Sequence, residues 1–163
     1  MTEDTETYWH HANGEKKHPL HYTACGLDNI YLLSGYDIEV IDGEDFLTIR
    51  NLDGLHAAIG QYLVRSKKIL TGKELRFLRR QMDMTQSEMA RLFGCDAQQI
   101  ARYEKDENKI PGPADRLLRA IFQDHAGGDQ SILELLRTLD ELDTRISDIQ
   151  SFEATEDGWK AAA

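Results

Sequence analysis

A chain of 163 residues, 40% hydrophobic and 29% charged with a net charge of −10, suffices for one compact domain or two small ones. No run approaches the ~18 consecutive apolar residues of a membrane helix, and the acidic opening from Met1 to Glu6 lacks the features of a secretion signal, so a cytoplasmic chain is expected. The charge is segregated: residues 1–64 hold 3 basic against 11 acidic side chains, 65–120 hold 13 against 8, and 121–163 hold 3 against 10, which leaves the middle alone suited to a polyanion.

Residues 1–21 are polar and His-rich without a sustained period, and read as a flexible arm. Residues 22–66 read as a small α/β module. In it the β-branched and aromatic residues of 37–42 and 44–49 flank an Asp42-Gly43 turn signal, which predicts a small antiparallel sheet. Asp53 stands where it can cap a helix over 54–64 that gathers Leu55, Ala58, Ile59 and Leu63 on one face. Residues 66–70 then act as a linker. Cys25 and Cys95 lie far apart, and free thiols are expected.

Within 67–125, Thr71 with Glu74, Thr85 with Glu88 and Asp96 with Gln99 form three capping boxes, predicting three short helices. Pro111 and Pro113 stop one element and open a fourth helix over 114–124. Ser131 caps a last helix, spanning 130–152, with Ile132, Leu135, Leu139, Leu142, Ile146 and Ile149 at alternating steps of three and four. That pattern suits a two-stranded coil, whereas Leu133 and Leu136 widen the stripe toward packing on the chain's own core; the spacing leaves both open, and either serves a dimer. Residues 153–163 read as a disordered tail.

Thr85 to Glu104 reads as two short helices joined by a tight turn at Gly94. Its elements are Leu78-Arg79, Thr85-Gln86, Ala90 and Leu92, Gly94, Ile100 and Tyr103-Glu104, and with them residues 70–121 resemble the phage-repressor-like XRE family of helix-turn-helix regulators. Ala90 permits close approach of two helices and Gly94 a positive φ, while Met89, Leu92, Ile100 and Leu117 are expected to fill the small core. The expected fold class is therefore α+β: a small N-terminal antiparallel sheet with a helix, then an all-α five-helix XRE-type domain with a long C-terminal helix.

The resemblance implies a structural ion pair between Arg79 and Glu104, and implies that Ala97, Gln98 and Arg102 face bases, with Gln99 at the margin of that face. Gln98 has the chemistry to pair with adenine and Arg102 with guanine. Thr85 and Gln86, at a helix N-terminus, are expected to hold phosphate, with Arg91, Lys105 and Lys109 as further phosphate contacts. Asp83 and Asp106 stand where the family often has glycine.

Among the N-terminal histidines, His10, His18 and His21 with Cys25 are the candidate zinc ligands. No Cys-x-x-Cys accompanies them, and the alternative is a polar arm without metal; no other cofactor is implied. No nucleophile, base and oxyanion site stand together, so an enzyme is not expected. The expected function is sequence-specific binding of double-stranded DNA by a homodimeric repressor at an inverted-repeat operator. The alternative is an antitoxin that neutralises a toxin protein through the N-terminal module and represses its own operon. That layout resembles bacterial antitoxin regulators with an N-terminal zinc module, whose paired cysteines are missing here. No membrane partner is expected.

Overall fold

The computed structural model describes residues 9–10, 16–17, 19–127, 129, 131–142 and 149–162. The elements run β1 (Trp9–His10), β2 (Lys16–Lys17), β3 (Leu20–His21), β4 (Ile30–Leu32), β5 (Tyr36–Ile41), β6 (Glu44–Ile49), α1 (Leu52–Ser66), α2 (Gly72–Gln81), α3 (Gln86–Phe93), α4 (Ala97–Glu104), α5 (Gly112–His125), α6 (Ile132–Glu141), β7 (Gln150–Thr155) and β8 (Gly158–Ala161).

The two ends of the chain build one sheet, in the order β3-β4-β7-β8. β4 lies parallel to β7, pairing Ile30 with Gln150 and Leu32 with Phe152, so the sheet is mixed rather than antiparallel, and among the described residues every helix falls in the connection between these two strands. Residues 153–162, expected within a disordered tail, are ordered instead: β7 and β8 form a hairpin, and the Ala162 N–H reaches back to the Ser151 carbonyl at 2.8 Å, while Ala163 lies outside the described residues. Trp159 donates its indole N–H to the Arg50 carbonyl at 3.0 Å. Its ring lies so close to Gly35 that a Cβ there would stand 2.6 Å from it. The N-terminal arm likewise ends before residue 21, since Leu20 and His21 pair with Leu32 and Tyr31; most of residues 1–18 lie outside the described residues.

The expected long C-terminal helix stops at Glu141, with Leu142 already extended. Leu135 and Leu139 are fully buried in the chain's own core, which settles the heptad reading at those positions in favour of intramolecular packing. Ile146 lies outside the described residues, and Ile149 stands immediately before β7. Helical spacing continued across this boundary, but the free edge of β4 and a place beside it for Phe152 decided the outcome.

The expected hairpin forms, with Asp42 and Gly43 at φ 51° and 81° as a two-residue turn needs. It stands as its own two-stranded sheet. α1 begins earlier than its apolar period suggests because Asn51, not Asp53, is the cap: its side chain accepts the Gly54 N–H at 3.1 Å, leaving Asp53 in the first turn. Leu92 and Leu117, expected in the core, are 50% and 39% exposed. α5 is phased so that Leu118 and Phe122 face inward beside Asp115 and Arg119, and the two turns of α3 bury Met89 and Ala90 instead.

The linker after α1 is a junction rather than a tether. Arg119, 0% exposed, donates to the carbonyls of Val64 (3.1 Å), Lys67 (2.5 Å) and Lys68 (3.1 Å), more weakly to Leu63 (3.4 Å), and to Asp115 Oδ1 at 2.6 Å. Asp115 Oδ2 also accepts the Leu70 N–H at 3.3 Å. A cation is thereby placed on the carbonyl end of α1, where the helix dipole favours it. Lys68 repeats the device on α6, donating to the carbonyls of Leu139 and Asp140 at 2.9 and 3.0 Å.

His56 of α1 carries a pH dependence. Its Nε2 lies 2.8 Å from Tyr22 Oη and its ring meets Phe77 edge-on; burial pushes its pKa below the ordinary 6.5, with Asp53 opposing. Because the folded state holds the neutral ring more firmly than the unfolded chain does, the stability contributed by His56 is complete above about pH 6.5 and falls as pH drops through its folded value. Urea midpoints taken from pH 7.5 to 5.5 should fall more steeply for the native chain than for His56→Gln; parallel curves would show that this ring does not set the dependence.

Candidate nucleic-acid interface

α3 opens on Thr85, whose hydroxyl accepts the Glu88 N–H at 3.1 Å while its own N–H donates to Glu88 Oε2 at 2.7 Å. α3 closes on Gly94 at φ 69°, the left-handed conformation that lets the chain reverse within the three residues before α4. Asp96 caps α4 by accepting the Gln99 N–H at 2.8 Å; the reciprocal bond from the Gln99 side chain, which a full capping box requires, is not formed.

The inner face of α4 is held by Ile100, Tyr103 and Glu104, all buried. Glu104 is the hub. Its Oε1 takes Arg79 Nε at 2.5 Å, and its Oε2 takes Arg79 Nη2 at 3.3 Å and Gln86 Nε2 at 2.9 Å, while Arg79 Nη1 continues to the Met84 carbonyl at 2.8 Å. Side-chain exposures of 12% for Arg79 and 5% for Glu104 place this pair well inside the low-dielectric region, where geometry matters more than at the surface. α2, α3 and α4 are pinned at one point.

A second tie binds the far end of α4 to the start of α2. Asp106, left-handed at φ 57°, accepts the Gly72 N–H with Oδ1 at 2.8 Å. Gly72 is packed so tightly that a Cβ would collide with the backbone carbonyl oxygens of Tyr103 and Glu104. Asp83 also takes the left-handed conformation, at φ 53°.

With positions 100, 103 and 104 turned inward, the i, i+4, i+7 series of Gln98, Arg102 and Lys105 falls on the opposite side, and all three are exposed. Ala97 and Gln99 are half-buried at its border. Arg91, Lys109, Arg76 and Arg80 add exposed positive charge from α2, α3 and the stretch after α4. An exposed guanidinium and amide on one helix face have the donor and acceptor geometry that reads base edges.

Residues 75–114 match the helix-turn-helix family. The match spans α3, the Gly94 turn and α4 together with most of α2, and leaves residues 1–74 and 115–163 outside it. It supports an XRE-type helix-turn-helix, a DNA-binding domain of transcription regulators rather than a catalytic one. No curated protein and no solved structure matches the chain. Among the described residues, no helix is long and apolar enough to cross a membrane.

The helix-turn-helix geometry constrains two of the expected phosphate contacts. The Thr85 N–H is committed to Glu88 and the Gln86 amide to Glu104. The Glu88 carboxylate, its pKa lowered chiefly by the Thr85 backbone N–H, puts negative charge where a phosphate was expected. Among the expected contacts, the exposed cations left for phosphate are Arg91, Lys105 and Lys109. Gly72 and Asp106, which sequence reasoning passed over as a helix-to-helix tie, hold the end of α4 against the start of α2.

Of the four candidate zinc ligands, His21 and Cys25 have described side chains, and each is engaged with its own neighbours. The side chains of His10 and His18 lie outside the described residues. His21 stacks on Tyr31 at 4.7 Å between ring centroids and bonds the Asp28 carbonyl at 2.5 Å, and the Cys25 thiol, its pKa raised chiefly by burial, leans on the Tyr22 carbonyl at 3.9 Å. Among the described residues, no group of three or more His, Cys, Asp or Glu side chains is arranged to hold a metal.

Proposed function

We propose that the protein is a cytoplasmic transcription regulator that binds an inverted-repeat operator as a homodimer and represses from it. The observation that carries this reading is the outward row of Gln98, Arg102 and Lys105 on a helix whose inner face is fixed by the Arg79–Glu104–Gln86 cluster. Arg102 is assigned to a guanine, Gln98 to an adenine, with Ala97 and Gln99 flanking them; Lys105, Arg91 and Lys109 take phosphates. One eight-residue helix reaches few base pairs, so strong selectivity calls for two copies on half-sites about 34 Å apart. Selection of bound fragments from random DNA by the full chain should enrich such paired half-sites. Enrichment of single half-sites or of no motif would contradict the dimeric reading.

A second reading, the antitoxin, draws on the strongly acidic charge of residues 1–64, which suits neutralisation of a basic toxin while α4 holds the operon. Its test is a growth-inhibiting protein encoded beside this one whose effect is relieved by co-expression; absence of any such neighbour would leave simple repression.

A further inference from the structure

The β5–β6 hairpin leaves five of its apolar side chains exposed. Its register puts Ile38, Leu47 and Val40 on one face, continuing outward from Tyr36 and Ile49 at its base, and Phe46 and Ile41 on the other. All five are between 45% and 69% exposed. No strand adjoins either outer edge among the described residues, so backbone donors and acceptors are open there as well. A two-stranded hairpin alone is marginal in water, and contiguous apolar exposure of this kind marks a place where another surface belongs.

The charge on the hairpin selects the occupant. Asp37, Glu39, Asp42, Glu44 and Asp45 stand against Arg50 alone, which pairs with Asp37 at 3.2 Å. DNA and anionic lipid are repelled by this element. A second copy seated on it hairpin to hairpin would bring the same carboxylates face to face and cover one face, leaving Phe46 and Ile41 or Ile38 and Leu47 in water. An occupant that shields both faces must be cleft-shaped, and its rim must be positive.

We propose that the β5–β6 hairpin is the docking element for a basic protein, which grips it from both faces and extends its sheet at an open edge. This deepens the antitoxin reading by naming a surface and the partner's chemistry, yet fails separately from it.

The test places a photocrosslinking residue at Val40 of the full chain, with Arg137 on α6 as the control position, in the cells that encode the protein. Whatever is captured is identified, purified and recombined with the full chain. The expected result is one basic protein crosslinked from position 40 and not from 137. Its affinity should fall about 100-fold or more for the double variant Ile38→Asp, Leu47→Asp, stay unchanged for Ile132→Asp, and weaken as salt rises. Binding to selected operator DNA by the hairpin variant serves as the control for folding. Crosslinks to a second copy alone, no capture above the control position, or equal binding by both variants would overturn the proposal. A captured basic protein that does not inhibit growth would support the docking surface and sink the antitoxin reading. A genuine toxin that binds the hairpin variant normally would do the reverse.

Discussion

Replacing Arg119 with methionine is expected to remove about 3–5 kcal/mol of stability and to lower Tm by roughly 10 °C. The guanidinium is wholly buried and serves the end of α1, the 67–68 stretch and Asp115 at once. Its loss strands the Asp115 carboxylate in the interior and leaves the last carbonyls of α1 without donors, and methionine offers only its volume in return. Because the penalty is largely that of an orphaned charge, pairing Arg119→Met with Asp115→Leu should recover part of it. Recovery stays partial, since the Leu70 N–H then loses its acceptor. Urea unfolding of the three variants checks this. A loss below about 1 kcal/mol for Arg119→Met, the value of a surface pair, would mean that the junction does not hold α1 to α5. DNA affinity of the folded variant should be nearly native, because the junction lies away from α4.

The replacement Glu104→Ala is expected to cost a similar ~3–5 kcal/mol and, unlike the change at Arg119, to weaken DNA binding in the folded population as well. Arg79 would keep its charge with only the Met84 carbonyl for company, and the Gln86 amide would lose its acceptor. The end of α4 would be free to shift on α2 and α3, and a small displacement is enough to misalign Arg102 with a base edge. Glu104→Gln keeps the shape and two hydrogen-bond sites, so a smaller loss of about 1–3 kcal/mol is expected. Stability and operator affinity measured on the same preparations distinguish the cases. If Glu104→Ala destabilises without loss of affinity at temperatures where it is folded, the cluster supports the fold alone.

What the sequence reveals and what it hides divide along the range of the interactions. Thr71 with Glu74, Thr85 with Glu88, Gly94, and the Asp42-Gly43 turn are decided within a few residues, and each appears where local chemistry puts it. The outward phase of Gln98, Arg102 and Lys105 follows from the apolar period of the same short helix. β7 and β8 were hidden because Leu142, Ile146 and Ile149 prolong a helical period that only the edge of β4, 120 residues away, overrules. Arg119 was hidden for a related reason: an Asp115–Arg119 pair four apart looks like surface decoration, although its place in line with the buried Leu118 and Phe122 was a signal of burial. For Thr85, the capping box legible in the sequence already commits its backbone N–H to Glu88, which withdraws that one donor from the expected phosphate contact. The Gln86–Glu104 bond, by contrast, spans 18 residues and needed the fold.

The reading of DNA by α4 is decided by comparing Arg102→Ala and Lys105→Ala on the selected operator and on random DNA at fixed salt. Arg102→Ala should lose about 1–3 kcal/mol on the operator and little on random sequence, erasing preference at one base pair, while Lys105→Ala should weaken both alike. Equal losses on the two DNAs for Arg102→Ala, or none on either, would show that this helix does not read bases.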